Sequence, residues 1–137
     1  MPDETAASAA QPATAESPAA GSHVAGPLSA EDAKLVTLAR GALGRVGAAE
    51  GGAVRDETGR TYSGATVSLA SLGISALQLA VAQAVAAGAR GLEAAVVVRR
   101  GADISGADLD AVRDLGGAGV TVHVVGLDGS VLATLAT

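Results

Sequence analysis

Few side chains in this sequence could hold a metal or carry a proton. Cysteine is absent, which excludes disulfides and thiolate metal sites. The two histidines are His23 and His123. His23 lies in an aperiodic N-terminal stretch, where no preorganised ligand role is expected. His123 sits in Val120-Thr121-Val122-His123-Val124-Val125, alternating with apolar neighbours as on a strand. A lone imidazole needs partners to act as ligand or base. No adjacent acidic pattern offers them, so it reads as a half-buried or surface strand histidine. Asp108, Asp110 and Asp114 could form an acidic cation patch. Asp108 and Asp110 are more simply first-turn and solvent-face residues of a helix, where the dipole favours acids. Arg99 and Arg100 end a strand at the carboxyl edge, where α/β sheets bind ligands. They could hold an anion, and a solvated pair is the simpler reading. Neither Gly88–Gly91 nor the turn around Asp128-Gly129 leads from a strand into a helix, so neither is a phosphate loop. Glu50 and Glu57 read as solvent-facing.

The elements around these residues must position them. Residues 1–27 are rich in Ala, Pro, Ser, Thr, Glu and Gly, with no apolar periodicity. Such a segment buries too little surface to offset its ordering entropy. It is expected to be a disordered acidic tail, with one folded domain over 28–137. Ser29 reads as an N-cap, followed by Glu31 and Asp32 in a first turn. Leu35, Leu38, Ala39, Ala42, Leu43 and Val46 recur at three and four, and Gly47 closes this helix. Residues 51–67, GGAVRDETGRTYSGATV, read as a β-hairpin turning at Asp56-Glu57-Thr58-Gly59. A second helix starts at Ser71 or Gly73 and ends at Gly88. Its polar positions are Ser75, Gln78 and Gln83, so it is apolar nearly all round and expected to be buried against a sheet. Leu92–Val98 is a continuous apolar run, the mark of a central strand covered on both faces. Ser105, with Asp108 three residues on, approximates a capping box. The helix it opens turns Leu109, Val112 and Leu115 inward. A closing hairpin around Asp128-Gly129 suits a type I′ turn. Strands alternating with helices in this order predict an α/β sheet with helices on both faces.

Composition narrows the partners. Hydrophobic residues make up 49% of 137, enough for one domain with a core. The net charge of −5 favours neither nucleic acid nor an anionic membrane. No apolar run is long enough for a transmembrane helix. The acidic N-terminus is unlike a secretory signal or a basic transit peptide, so a cytoplasmic protein is expected.

GGAVRDETGRTYSGATV, then an Ala-rich helix ending in Gly, then a Val-rich strand, resembles the cytidine deaminases and the related blasticidin-type deaminases. The likeness spans about Ser29 to Thr134. Gly51, Ala53, Gly59, Tyr62, Gly64 and Ala70 fall where the family has like residues. It implies a three-layer α/β/α cytidine-deaminase-like fold, with a mixed five-stranded sheet whose last two strands are an antiparallel hairpin. It also implies association through the helices around the site, hence a homo-oligomer.

The chemistry the resemblance implies departs from this chain. Hydrolytic deamination needs a metal-activated water and an acid/base that moves its proton. The family supplies Cys-Ala-Glu or His-Ala-Glu at the start of the central helix and Pro-Cys-x-x-Cys at the start of the next. The first motif falls on Ser75, Ala76 and Leu77, and the Arg that commonly follows becomes Gln78. The second falls on Gly106, Ala107, Asp108, Leu109 and Asp110. A Ser hydroxyl is a poor zinc ligand, Leu77 carries no proton, and Ala107 cannot ligate, which leaves Asp110. The ribose-reading Asn-x-Glu becomes Thr66, Val67 and Ser68. The aromatic that packs on the pyrimidine has no counterpart in residues 44–52. The loop from Ala70 to Ser75 is short, so Leu77 is the other choice for the lost ligand position, and neither choice completes a ligand set.

The expectation is therefore a non-catalytic family member, a pseudoenzyme without cofactor, acting as a binding or structural module. Its pocket is lined by Thr66, Ser68, Ser75, Leu77 and Gln78 and takes a small neutral ligand or a protein partner. Two alternatives stay open. One is a zinc-dependent cytidine or nucleoside deaminase with an unconventional site, using Asp110, His123 or ligands from another subunit. The other is an accessory protein that binds a partner through its acidic tail.

Overall fold

A computed structural model describes residues 28–137. The acidic tail over 1–27, with His23 and any partner it binds, lies outside the described residues.

The first helix forms where its ends are capped. Ser29 Oγ accepts from the Asp32 amide at 3.1 Å, and Gly47 closes the helix in the left-handed region at φ 62°. This is α1 (Ala30–Val46). Its buried face is Leu35, Val36, Ala39 and Ala42, whereas Leu38 and Val46 of the expected stripe are exposed. The face is set by a close approach: a Cβ on Gly51 would lie 2.0 Å from the Ala39 carbonyl oxygen, so only glycine lets α1 sit here.

Gly51 opens β1 (Gly51–Asp56), which pairs with β2 (Thr61–Ala65) as a hairpin. The Gly59 amide donates to the Asp56 carbonyl at 3.1 Å, and Gly59 is left-handed at φ 88°. The Asp56 carboxylate seals the turn. It accepts from the Thr58 amide and hydroxyl, the Arg60 amide and the Tyr62 hydroxyl.

The chain then differs from the expected loop. Val67–Leu69 (β3) and Leu72–Ile74 (β4) form a separate two-stranded arm. The helix expected from Ser71 or Gly73 begins later, as α2 (Ala76–Ala86). The delay has a cause: Ser75 and Gln78 make a reciprocal capping box, which Ser71 and Gly73 cannot match. α2 is also not buried all round. Ala76, Leu77, Ala80, Val81 and Ala84 are buried, but Val85 is 55% exposed. Its many alanines make the outer face cheap to leave in water.

β5 (Leu92–Val98), α3 (Gly106–Gly116), β6 (Thr121–Val125) and β7 (Val131–Ala136) complete the domain. The sheet order is β2-β1-β5-β6-β7, so the apolar run of β5 takes the centre, as expected. β5–β6 is parallel, and the other three pairs are antiparallel, including the β6–β7 hairpin. The turn of that hairpin is not the type I′ turn expected at Asp128-Gly129. The Gly129 amide donates to the Gly126 carbonyl at 2.9 Å. That centres the turn on Leu127 and Asp128 and puts Gly129, at φ 91°, in the left-handed position after it.

α1 packs on Ala53, Ala94, Val96, Val98 and Val125. α2 and α3 cover the opposite face through Val54, Ala95, Val97, Val122 and Val124. The alternation along β5 thus feeds two cores, one on each side. Among the described residues no helix is long and apolar enough to cross a membrane.

Candidate functional site

The start of β1, the end of β5 and the N-termini of α2 and α3 converge on one place. The first turn of α2 reaches it because of Gly52, where a Cβ would lie 2.9 Å from the Ala76 carbonyl atoms and from Leu77 Cα. The result is a pocket of about 310 Å³, lined by Ala49, Glu50, Thr66, Ser75, Arg99, Ser105 and Asp108.

Each polar group there has a traceable position. Ser75 is the N-cap of α2. Its Oγ accepts from the Gln78 amide at 3.1 Å and donates to Asp108 Oδ1 at 2.6 Å. Ser105 is the N-cap of α3, and its Oγ accepts from the Asp108 amide at 3.1 Å. Asp108 is only 5% exposed. Among the described residues its second carboxylate oxygen has no partner, and Asp108 makes no ion pair. Arg99 Nε donates to Glu50 Oε2 at 2.9 Å. Arg99 Nη1 donates to the carbonyls of Gly101 and Asp103, which fixes the loop leading to α3. Thr66 Oγ1 accepts from the Glu50 amide at 3.2 Å.

Of the pocket positions implied by the resemblance, Thr66 and Ser75 line this pocket. Ser68 is exposed on β3, and Leu77 is fully buried in the core beneath α2. The Gln78 side chain turns back to the Ser75 amide at 3.5 Å. Ala107 and Asp110 are exposed on α3, away from the lining. Asp108 is the correction: it is not a solvent-facing first-turn acid but a buried one, because the start of α2 lies across it. Ser105 and Asp108 are three residues apart, the spacing of Cys-x-x-Cys. The structure therefore puts the facing positions two residues earlier than 107 and 110. Glu50 and Arg99, read as solvated, form a half-buried ion pair; Arg100 is exposed.

A second polar cluster runs across the sheet, from Arg55 near the far end of β1 to His123 at the middle of β6. His123 is 5% exposed, not half-buried or at the surface. Its Nε2 meets Asp32 Oδ2 at 2.9 Å, and its Nδ1 meets Thr134 Oγ1 at 2.9 Å. Asp32 also pairs with Arg55 at 3.0 Å, and Arg55 with Glu93 at 2.9 Å. Burial pushes the Asp32 carboxyl up, but His123 and Arg55 outweigh it and hold the group below its ordinary 3.8. The partners of His123 come from α1 and β7, so no local sequence pattern announces them. The imidazole and Asp110 lie on opposite layers and do not meet.

The donor set at the pocket does not fit a catalytic zinc. Such a site takes three protein ligands from imidazole, thiolate or carboxylate. Here two of the three facing positions are hydroxyls, and both oxygens already serve as helix caps. Among the described residues no cluster of three or more His, Asp or Glu is placed to hold a metal.

Comparison with known proteins gives a consistent answer. A family model described as cytidine deaminase-like matches residues 28–129. No curated protein matches the sequence. Among solved structures, a cytidine deaminase from Burkholderia pseudomallei is 28% identical with a TM-score of 0.65, covering 74% of this chain and 90% of its own. A cytidine deaminase from Mycobacterium leprae is 21% identical with a TM-score of 0.58, over 73% of this chain and 90% of its own. One from Mycobacterium tuberculosis is 22% identical with a TM-score of 0.57, over 65% of this chain and 80% of its own. The last two speak for the fold alone.

Proposed function

The chain belongs to the cytidine deaminase-like family, and from that premise we propose that it is a non-catalytic member, a pseudoenzyme acting as a binding or structural module. One observation carries the reading. The side chains facing one another at the two helix N-termini are Ser75, Ser105 and Asp108, and the hydroxyl oxygens are committed to caps and to the carboxylate. Leu77, two residues after the first of them, carries no proton and is sealed in the core. Metal-assisted hydrolysis requires both a ligand set and a proton carrier. The pocket of about 310 Å³ is of a size to admit a small neutral ligand. The alternative of an unconventional zinc site loses support, because His123 and Asp110 lie apart from the pocket and from each other.

The test is elemental analysis of purified, untagged protein together with the absorbance of added cytidine. Less than stoichiometric zinc and unchanged absorbance are expected. Stoichiometric zinc with loss of cytidine overturns the reading. The same reading has the chain act in the cytoplasm as a homo-oligomer that meets its copies through small apolar helix faces. The exposed Val85 on α2 supports this. A monomer mass by light scattering would refute that part alone.

A further inference from the structure

We infer that the hydrogen bond from Ser75 Oγ to Asp108 Oδ1 takes the place of a metal ion as the joint between α2 and α3. The inference rests on the metal-free reading above and adds what holds the two helices together without one.

Two helix N-termini aimed at the same point present partial positive charges to each other. Something negative must lie between them for the arrangement to hold. In this chain it is the Asp108 carboxylate, 5% exposed and with no cationic partner among the described residues. Arg99, the nearby cation of the lining, is occupied by Glu50 and by loop carbonyls. The compensation for Asp108 is therefore the two helix starts and one hydroxyl. The Ser75–Asp108 distance of 2.6 Å lies in the range of charge-assisted O–H···O⁻ bonds. The bond spans 33 residues of sequence and joins two caps in series. The Gln78 amide donates to Ser75 Oγ, Ser75 donates to Asp108, and the Asp108 amide donates to Ser105 Oγ. A metal bound between these helix starts would tie them in the same way. Both hydroxyls and one of the two Asp108 carboxylate oxygens that could have bound it are instead engaged with each other and with the helix amides.

A joint differs from two independent caps in one measurable way: breaking it on one helix loosens the other. The full chain is compared as wild type, Ser75→Ala, Asp108→Ala, Asp108→Asn and the Ser75→Ala/Asp108→Ala double variant, each with and without EDTA. Thermal unfolding and amide hydrogen exchange are followed. Each single alanine is expected to lower Tm by about 5–10 °C. The double variant should fall little further, because the two share one contact. Asp108→Asn keeps an acceptor for the hydroxyl and should fall between wild type and Asp108→Ala. The Leu79 amide bonds the Ser75 carbonyl, and the Leu109 amide bonds the Ser105 carbonyl. Ser75→Ala should speed exchange at Leu109, and the Asp108 variants at Leu79. If Asp108→Ala does not fold, Ser75→Ala and Asp108→Asn give the same cross-helix readout. Additive Tm losses, with exchange changes confined to the substituted helix, would overturn the joint. A wild-type Tm that falls in EDTA would instead overturn the metal-free reading, whatever the variants show.

Discussion

The antiparallel pair β1–β5 carries an ion pair at each end, and the two ends are built to opposite plans. At one end Arg55 pairs with Glu93 and runs on through Asp32 to His123 and Thr134. There both imidazole nitrogens are engaged and the histidine is sealed. At the other end Glu50 pairs with Arg99 beside a pocket, where a carboxylate keeps one oxygen without a partner among the described residues. The residue with the richest chemical repertoire, the imidazole, belongs to the closed cluster and has nothing left to offer a ligand. The residue with unspent capacity, Asp108, is at the open end. Residue type alone does not mark a site; a free lone pair facing a cavity does.

The contrast can be sharpened most by giving the open end better ligands. Ser75→Cys, Ser105→Cys and Asp108→Cys together should raise the bound zinc to about one per chain. The same change at 75, 107 and 110 should not, because Ala107 and Asp110 point away from the pocket. Elemental analysis of the two triple variants decides, and the reverse result would move the facing positions back to 107 and 110. The next effect belongs to the closed end. Asp32→Ala strips His123 and Arg55 of a shared partner, and urea unfolding should show a loss of about 3 kcal/mol, the low end for a broken buried pair. A loss below about 1 kcal/mol would make that cluster a surface feature.

Acid should distinguish the ends less sharply. A carboxyl lowered in the folded state contributes stability above its ordinary value and loses it as pH falls through the folded one. Asp32 lies below 3.8 in the fold. Asp56, in the adjoining β1–β2 turn, is pushed up by burial. Bonds from Thr58, Tyr62 and Arg60 outweigh this and hold it at about 2. Both contributions are complete above about pH 4 and fade below it. Comparing wild type with Asp32→Asn from pH 6 to pH 2, the gap in Tm should narrow only below about pH 4. A gap that narrows between pH 6 and 5 would assign the effect to another group. The smallest change is expected at the open end: Glu50→Gln should cost about 0–1 kcal/mol, as half-exposed pairs do. A cost equal to that of Asp32→Ala in the same urea titration would erase the distinction between the ends.

What could be read from the sequence was what depends on neighbours along the chain. Ser29 and Gly47 cap α1 because caps are local, and the apolar run of Leu92–Val98 becomes the central strand because only a two-sided core tolerates it. The β3–β4 arm was hidden: its turn is Ala70-Ser71, without the Gly, Asn or Pro that mark a turn, and its strands are three residues each. The burial of Asp108 was hidden for another reason. An acid at the third position of a helix is normally solvated, and only the start of α2, 33 residues away, covers it. His123 meets Asp32 across 91 residues. The meeting of Ser75, Ser105 and Asp108 was hidden for the same cause, since it is set by how α2 and α3 approach in space.

Gly51 and Gly52, side by side on β1, carry a consequence for how such a pocket could change. One lets α1 press onto the strand from one face and the other lets α2 press from the opposite face, so both helices lie close to the start of β1. The approach of α2 to the cavity thus depends on a side chain that does not exist at Gly52. A methyl added at Gly52 would lift the first turn of α2 and raise the ceiling over Asp108, without altering any lining residue. The shape of the pocket can therefore change through the approach of a helix, while every lining residue stays the same.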